Sequence, residues 1–214
     1  LYDRVATLTG RPADPDILIV AIDDASIDTL GRWPWRRAIH AALLDRLQGA
    51  RAVGLDLIFA ESDTVNPNDD RILADSIRRN GHTVLPIVLD RLANPSAIAA
   101  PIPILAQAAA SSGFINARVD SDGVVREATP ATDFSGERRF HLALSMLTVG
   151  GQPDKAQQLL QRAGPDGNIL IPYAGSTAHM RTVSYLSVLR GDVPAEALRG
   201  KYVLVGAWAT GLGD

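Results

Sequence analysis

Short apolar runs that alternate with helical segments constrain the fold of this chain more than any other feature of its sequence. Ile17–Ile22 and the runs at 52–59, 83–89 and Tyr202–Ala207 are aliphatic and lack polar alternation, which is typical of strands buried on both faces. Between the first three runs, apolar residues recur at helical spacing. Strand, helix and strand in repeated order predict an α/β fold of right-handed βαβ units, with a mostly parallel central sheet and flanking helices.

Capping residues and turn residues mark the ends of the other predicted elements. We expect Ser26 to cap a short helical turn and Ser184 to cap a later helix. Residues 120–123 read Asp-Ser-Asp-Gly, so 113–119 and 124–134 are predicted to form an inserted antiparallel hairpin around this turn. The remaining predictions are helices at 35–48, 68–80, 103–110, 140–149, 154–163 and 185–190, and a short strand at 168–172.

The overall composition is that of an ordinary globular domain, and it excludes several functional classes. Hydrophobic residues make up 46% and charged residues 21% of the 214 residues, which is enough for the core of one large domain. The net charge is −3 and the basic residues are scattered, so no nucleic-acid partner is expected. The chain has no cysteine, which excludes disulfides, thiolate nucleophiles and cysteine-bound metals. Its sequence contains no apolar run of about 18 residues that would span a membrane.

Three carboxylates are candidates for a binding site at the carboxyl edge of the sheet. Asp23 and Asp24 follow the first strand, and Asp56 lies late in the second, in an apolar run where a buried carboxylate needs a partner. Ligands of open parallel sheets bind in the crevice beyond this edge. The acids would hold a divalent cation or hydrogen-bond the hydroxyl or amine groups of a ligand. Alternatively, each acid caps a helical turn and pairs with an arginine.

Aromatic and basic side chains follow the first two acids. Two of the chain's three tryptophans stand here as Trp33 and Trp35, on either side of Pro34, which is suited to open the next helix. In one interpretation the indoles wall a pocket, and Arg36 stacks on them or forks onto a carboxylate. In the other, the tryptophans pack against the sheet and Arg36 neutralises one of the two preceding acids. The interpretations are compatible, because an arginine fixed beside fixed acids is also a preorganised site.

The remaining motifs do not support catalysis. The glycines near the end of the chain have almost the spacing of a phosphate-binding loop, but Leu212 and Gly213 stand where Lys and Ser or Thr are required. The four histidines are not spaced as a helical metal pair, and no G-x-S-x-G motif is present. Asp120 and Asp122 lack the further ligands of a calcium loop. We therefore expect no catalytic residue and no cofactor, and metal binding by the three acids stays open.

Several short motifs follow one another between about Pro15 and the end of the chain. They are IVAIDD (19–24), LGRWPWR (30–36), HAALL (40–44), GARAVGLD (49–56) with Phe59, GFIN (113–116), DSDGVVR (120–126), GKYVLVGA (200–207) and TGLGD (210–214). In this order they resemble the type-two CHASE domain, the cyclase/histidine-kinase-associated sensing extracellular domain. This chain has Arg36 where the family often carries a second proline, so either Arg36 or Arg37 occupies the family's arginine position.

The resemblance implies an extracytoplasmic sensor domain of a bacterial membrane receptor, on the periplasmic or extracellular side of the cell membrane. In such receptors transmembrane helices flank the sensor. A cytoplasmic output module follows, which is a nucleotide cyclase, a diguanylate cyclase, or a histidine or Ser/Thr kinase. The family's sequence continues past Asp214, so we expect residues 1–214 to be a single sensor domain that is truncated at its C-terminal end.

We expect the domain to bind an unknown small molecule or ion, to form a homodimer and to have no enzymatic activity of its own. The predicted ligand-binding residues lie at the ends of the first two strands and in the aromatic-basic segment: Asp23, Asp24, Trp33, Trp35, Arg36 and Asp56. Two alternatives remain open, namely a metal-assisted hydrolase that uses the three acids on a bound water, and a dimerisation module without a ligand.

Overall fold

The computed structural model describes residues 12–90, 97–174 and 180–208. The last matched sequence motif, 210–214, lies outside them. The described strands are β1 (Ile17–Ile22), β2 (Ala52–Leu55), β3 (Thr83–Asp90), β4 (Ala97–Ala99), β5 (Ser111–Phe114), β6 (Glu127–Ala128), β7 (Ala131–Phe134), β8 (Glu137–Phe140), β9 (Ile169–Leu170), β10 (Thr182–Ser184) and β11 (Tyr202–Ala207). The described helices are α1 (Asp24–Leu30), α2 (Arg37–Arg46), α3 (Pro67–Asn80), α4 (Pro103–Ala108), α5 (Leu142–Val149), α6 (Pro153–Gln161), α7 (Tyr185–Arg190) and α8 (Ala195–Leu198).

The central sheet is mostly parallel. Its strands follow the order β10-β1-β11-β2-β3-β4, and β5 pairs with β3 off this path. Every one of these pairs is parallel except β3 with β4. Two small antiparallel sheets, β6-β9 and β7-β8, accompany it. The predicted fold class, α/β with a mostly parallel central sheet, flanking helices and an antiparallel hairpin, is therefore confirmed.

Helices bury apolar side chains against both faces of the sheet. On one face α2, α3, α4 and α7 surround a large cluster that includes Leu43 and Leu73. On the other face Met146 of α5 packs in a smaller cluster with Ala52. Neighbouring strand residues contribute to opposite clusters, since Val53 belongs to the first and Ala52 to the second. Burial on both faces explains why the strand sequences lack polar alternation.

The second strand is shorter than the sequence predicts. β2 ends at Leu55, and the N–H of Asp56 makes one more bond to the carbonyl of Val205, at 2.8 Å. The chain then leaves the sheet, because the carbonyl of Phe59 accepts a bond from the N–H of Ile102 at 2.9 Å, beside α4. Asp56 is consequently exposed just beyond the strand rather than buried within it.

The antiparallel hairpin predicted around 120–123 forms only in part, with a single antiparallel bridge between Arg118 and Glu127. β5 joins the central sheet parallel to β3, and β7 with β8 forms a second, more extensively paired hairpin. Its turn residues Ser135 and Gly136 have φ of 51° and 80°, as a tight hairpin turn of the primed type requires. The turn at 120–123 does form, with the N–H of Gly123 donating to the carbonyl of Asp120 at 2.9 Å. Since β8 uses the residues up to Phe140, α5 starts later than the helix predicted there.

The close approach of β5 to α5 gives a testable prediction. A Cβ atom on Gly113 would lie 2.6 Å from the Cα of Leu142, in the backbone of the helix. Gly113→Ala is therefore expected to lower the free energy of unfolding by about 1–3 kcal/mol, the usual cost of overpacking. Gly49→Ala is the control, because its Cβ would come no nearer than 3.7 Å to Arg199. Urea denaturation measures both, and equal stability of the two variants would contradict this packing.

Candidate functional site

A groove of about 570 Å³ opens between the aromatic-basic segment and the chain that follows β2. We call it the tryptophan groove. One wall comes from the segment before and at the start of α2, and the other from residues 57–66. The lining residues are Trp33, Pro34, Trp35, Arg36, Arg37, His40, Leu57, Ile58, Phe59, Ala60, Glu61, Asp63, Val65 and Asn66.

The two indoles form a fixed aromatic wall. Trp35 is 7% exposed, and its Nε1 donates to the carbonyl of Gly31 at 2.7 Å. Its ring lies 5.1 Å from that of Tyr185 in the core. Trp33 stands edge-on to Trp35 at 5.2 Å and is only partly buried. A cis peptide bond joins Trp33 to Pro34. Trp35 thus anchors the segment, and Trp33 presents ring surface to the groove.

His40 forms the base of the groove. It is 2% exposed, and the rings of Trp33 and Phe59 each lie 5.7 Å from its ring. Its Nδ1 is 2.9 Å from the hydroxyl of Tyr185. Burial, with a smaller contribution from the charge of Arg37, lowers the pKa of His40 to about 4. The base of the groove is therefore an uncharged imidazole at neutral pH.

The two arginines at the start of α2 pair with the two acids in the first turn of α3. Arg36 donates from Nε and Nη2 to the carboxylate of Asp69 at 3.1 and 3.0 Å. Arg37 contacts the carboxylate of Asp70 and the carbonyl of Glu61. The hydrogen bond from Arg36 lowers the pKa of Asp69, which is 1% exposed. Arg36 therefore does not neutralise either acid that follows β1, which was one of the two interpretations of the sequence.

Asp23 is the N-cap of α1. Its Oδ1 accepts from the N–H of Ser26 at 3.0 Å, from the hydroxyl of Ser184 at 3.0 Å and from the hydroxyl of Ser26. The Ser26 hydroxyl in turn accepts from the N–H of Leu186 at 3.1 Å. Partial burial opposes ionisation of Asp23, but the hydrogen bonds from Ser26 and Ser184 outweigh it and lower its pKa. The cap predicted at Ser26 is thus at Asp23, which ties α1 to α7.

Asp24 and Asp56 lie outside the tryptophan groove. Asp24 is exposed in the first turn of α1. Asp56 lies beside Gly206, and a Cβ atom added to Gly206 would be 3.4 Å from the Cβ of Asp56. Although the residue is exposed overall, partial desolvation of its carboxyl group raises the pKa of Asp56. Because β11 separates β1 from β2, Asp23 and Asp56 follow strands about 9–10 Å apart. Among the described residues, no three His, Cys, Asp or Glu side chains are grouped to hold a metal ion.

The structure thus brings together three of the six predicted site residues, Trp33, Trp35 and Arg36. The contribution of His40 was missed, since a lone histidine on a helix that is otherwise built for packing gives no specific signal. The ion pairs with α3 had a weak signal, namely two adjacent arginines and two adjacent aspartates at the starts of consecutive predicted helices.

The capping role of Asp23 predicts a pH-dependent stability. Asp23→Ala is expected to lower the free energy of unfolding by about 1 kcal/mol at pH 7, while Asp24→Ala, at an exposed position, changes it little. Because the folded-state pKa of Asp23 lies below its ordinary value of 3.8, its contribution is present above that value and is lost as pH falls further. Urea denaturation at pH 7 and near pH 3 measures this, and a difference that is as large near pH 3 as at pH 7 contradicts the assignment.

The buried His40 predicts a second pH dependence of stability, which comes from a buried neutral base rather than from a hydrogen-bonded acid. Its pKa is about 4 in the folded chain and 6.5 ordinarily, so the unfolded chain takes up the proton first and stability declines as pH falls between these values. His40→Phe with Tyr185→Phe removes both partners of the hydrogen bond, which limits the cost of an unpaired group. The double variant should lose stability less steeply over this range. An unaltered slope in the double variant would contradict a buried, neutral His40.

Comparison with known sequences identifies the family. A sequence model of the CHASE2 domain matches the chain over residues 1–214. No curated protein and no solved structure matches it significantly. None of the helices in residues 12–90, 97–174 and 180–208 combines the length and the hydropathy that a membrane span requires. The family match spans the entire sequence, including the segments that form the tryptophan groove. The chain therefore belongs to the CHASE2 domain family, whose members are extracellular sensory modules of membrane receptors.

Proposed function

We propose that this CHASE2 domain is the extracytoplasmic ligand sensor of a bacterial transmembrane receptor and regulates a fused cytoplasmic cyclase or kinase. Family membership supports a sensory rather than a catalytic role. In this proposal, transmembrane helices flanking residues 1–214 hold the receptor in the membrane, and two receptors form a homodimer. The signal then passes through the terminal segments of the domain toward the membrane.

The observation that carries the proposal is that Trp33, Trp35 and Arg36 line one groove. Its volume of about 570 Å³ lies in the usual range for small-molecule sites, roughly 300–1,000 Å³. The hydrogen bond from Trp35 to Gly31 and the edge-on packing of the indoles hold the wall in place without a ligand. Little side-chain freedom is lost on binding to such a wall, which favours affinity.

The lining of the groove favours a small molecule with a flat or apolar body and one polar acceptor group. The body would stack on the partly buried ring of Trp33 above the uncharged His40. Arg36 donates from Nε and Nη2 to Asp69, and its Nη1 has no hydrogen-bond partner among the described residues. Its side chain is 60% exposed, so this nitrogen can donate to the acceptor group of the ligand.

The cap of α1 provides a route from the groove to the rest of the domain. Residues 25–35 connect the cap to the aromatic wall, and closing this segment over a ligand would pull on Asp23. Asp23 and Ser26 are bonded to Ser184 and Leu186 at the start of α7. A ligand shifts the balance between two such arrangements only by its differential affinity for them. Asp23 therefore has a positioning role in this proposal, and Asp24 and Asp56 have none.

The two rival functions differ in what they require. A metal-assisted hydrolase would need Asp23, Asp24 and Asp56 around one ion, and the intervening strand β11 keeps the first and last of these apart. A dimerisation module without a ligand needs only a self-complementary surface, and the tryptophan groove would then be a packing feature.

Replacing Trp33 tests the proposed site. In a thermal-shift screen of the 214-residue chain against metabolites and ions, a compound bound in the groove should raise the melting temperature of the unmodified chain. Trp33→Ala should abolish that shift, because the stacking surface is gone. Trp208→Ala is the matched control, since Trp208 is 48% exposed and is not part of the groove lining.

Two results would contradict the proposal. One is that every stabilising compound raises the melting temperature of Trp33→Ala as much as that of the unmodified chain. The other is a screen without any stabilising compound, combined with a concentration-dependent dimer in sedimentation. That second result would support the dimerisation module instead.

A further inference from the structure

A second and larger cavity, of about 990 Å³, lies at the carboxyl ends of β3 and β5. We propose that it binds a small zwitterion, a molecule that carries an amine and a carboxylate on an apolar body. The cavity shares no lining residue with the tryptophan groove, so this is a separate site. Its walls come from the end of β3, the segment after β5, the β7–β8 hairpin and the turn that follows α6.

On the inner wall, the side-chain amide of Asn116 makes the two hydrogen bonds to β3 that the backbone of a neighbouring strand would make. Asn116 accepts at Oδ1 from the N–H of Leu89 at 2.8 Å and donates from Nδ2 to the carbonyl of the same residue at 2.9 Å. This pair continues the β3–β5 ladder by one step beyond the last backbone pairs. Crevices at the carboxyl ends of parallel strands are the usual ligand sites of such sheets.

The outer wall is fixed by both polar and apolar contacts. Phe134 of the hairpin packs in one cluster with Phe114 of β5, and both are almost fully buried. The hydroxyl of Thr129 donates to the Oδ1 of Asn168 at 2.7 Å, and Asn168 donates from Nδ2 to Asp166 at 2.9 Å. The cavity is therefore bounded by packed and hydrogen-bonded elements on both sides, and it needs no rearrangement to form.

Charges of both signs stand around the cavity, and their present pairs are exposed to solvent. Arg118 lies 3.6 Å from Glu127, and Arg138 donates from Nη1 to the carboxylate of Asp133 at 3.2 Å. Both arginine side chains are more than half exposed, so these pairs contribute little and exchange readily for a ligand. The hydrogen bond from Asn168 and, to a lesser degree, the charge of Arg118 lower the pKa of Asp166, so this acid is ionised at neutral pH.

This combination of charges selects a ligand class. A plain carboxylate would be attracted by Arg118 and Arg138 but repelled by Asp90, Asp133 and Asp166. A plain amine would meet the opposite difficulty. A zwitterion satisfies both sets at once, with its carboxylate toward the arginines and its amine toward the aspartates. The apolar body then covers the aliphatic and aromatic part of the lining: Val88, Phe114, Ala131 and Leu160.

Matched ligands test the class directly. Isothermal titration of the 214-residue chain with L-leucine and L-phenylalanine should give binding of at least one of them. The same molecules without the amine, 4-methylpentanoate and 3-phenylpropanoate, should bind about tenfold or more weakly, as should the amines without the carboxylate. The proposal is overturned if neither amino acid binds at millimolar concentration. It is also overturned if a single-charge analogue binds as tightly as its parent.

Substitutions of lining residues test whether the amino acid binds in this cavity. Arg118→Gln and Asp166→Asn should each weaken binding of the amino acid by about tenfold, since each removes one charged partner. Arg162→Gln is the control, because Arg162 is exposed near the cavity without lining it. Trp33→Ala should leave amino-acid binding unchanged, which separates this site from the tryptophan groove. Loss of binding in Trp33→Ala together with full binding in Arg118→Gln would place the ligand in the groove and refute the second site.

Discussion

The position of β11 is the constraint on which the rest of the structure depends. This strand comes last in the described chain, yet it lies between β1 and β2 and pairs in parallel with both. The sheet is therefore continuous only when β11, at the end of the described chain, has paired with β1 near its start. The same insertion keeps Asp23 and Asp56 on separate strands. The segment after β2 turns away from the sheet and faces Trp33 across the tryptophan groove.

Much of the fold could be predicted because the buried strands are short, apolar and unambiguous. Ile17–Ile22 and Tyr202–Ala207 were predicted with the bounds that the structure has. The order of the strands was not predictable, since apolar runs alone do not say which strand pairs with which. β10 was missed because its sequence, Thr-Val-Ser, is short and polar, as suits an edge strand. The hairpin was only partly correct because two turn sequences compete. The one at Ser135-Gly136 closes a ladder of four residue pairs, whereas the one at 120–123 leads to the single antiparallel bridge between Arg118 and Glu127.

The candidate site was predictable only where its residues are close together in the sequence. Trp33, Trp35 and Arg36 are neighbours in sequence, so any fold would keep them close, and their composition already suggested a walled site. Their partners come from distant segments: Asp69 opens α3, and Tyr185 opens α7. Sequence spacing carries no information on such contacts. The acids were predicted to converge because strand ends meet at one edge of a sheet, but that reasoning assumes that consecutive strands are neighbours.

The most direct test is of the strand order itself. Because the sequence contains no cysteine, two introduced thiols can form a disulfide only with each other within one chain. In the variant with Asp56→Cys and Gly206→Cys, the Cβ separation of about 3.4 Å is close to that of a disulfide, so mild oxidation of the folded chain should join the two residues. The variant with Asp23→Cys and Asp56→Cys should keep both thiols free, because β11 lies between them. Thiol counting by mass spectrometry reads both. Rapid bridging of 23 to 56, with free thiols at 56 and 206, would contradict the account.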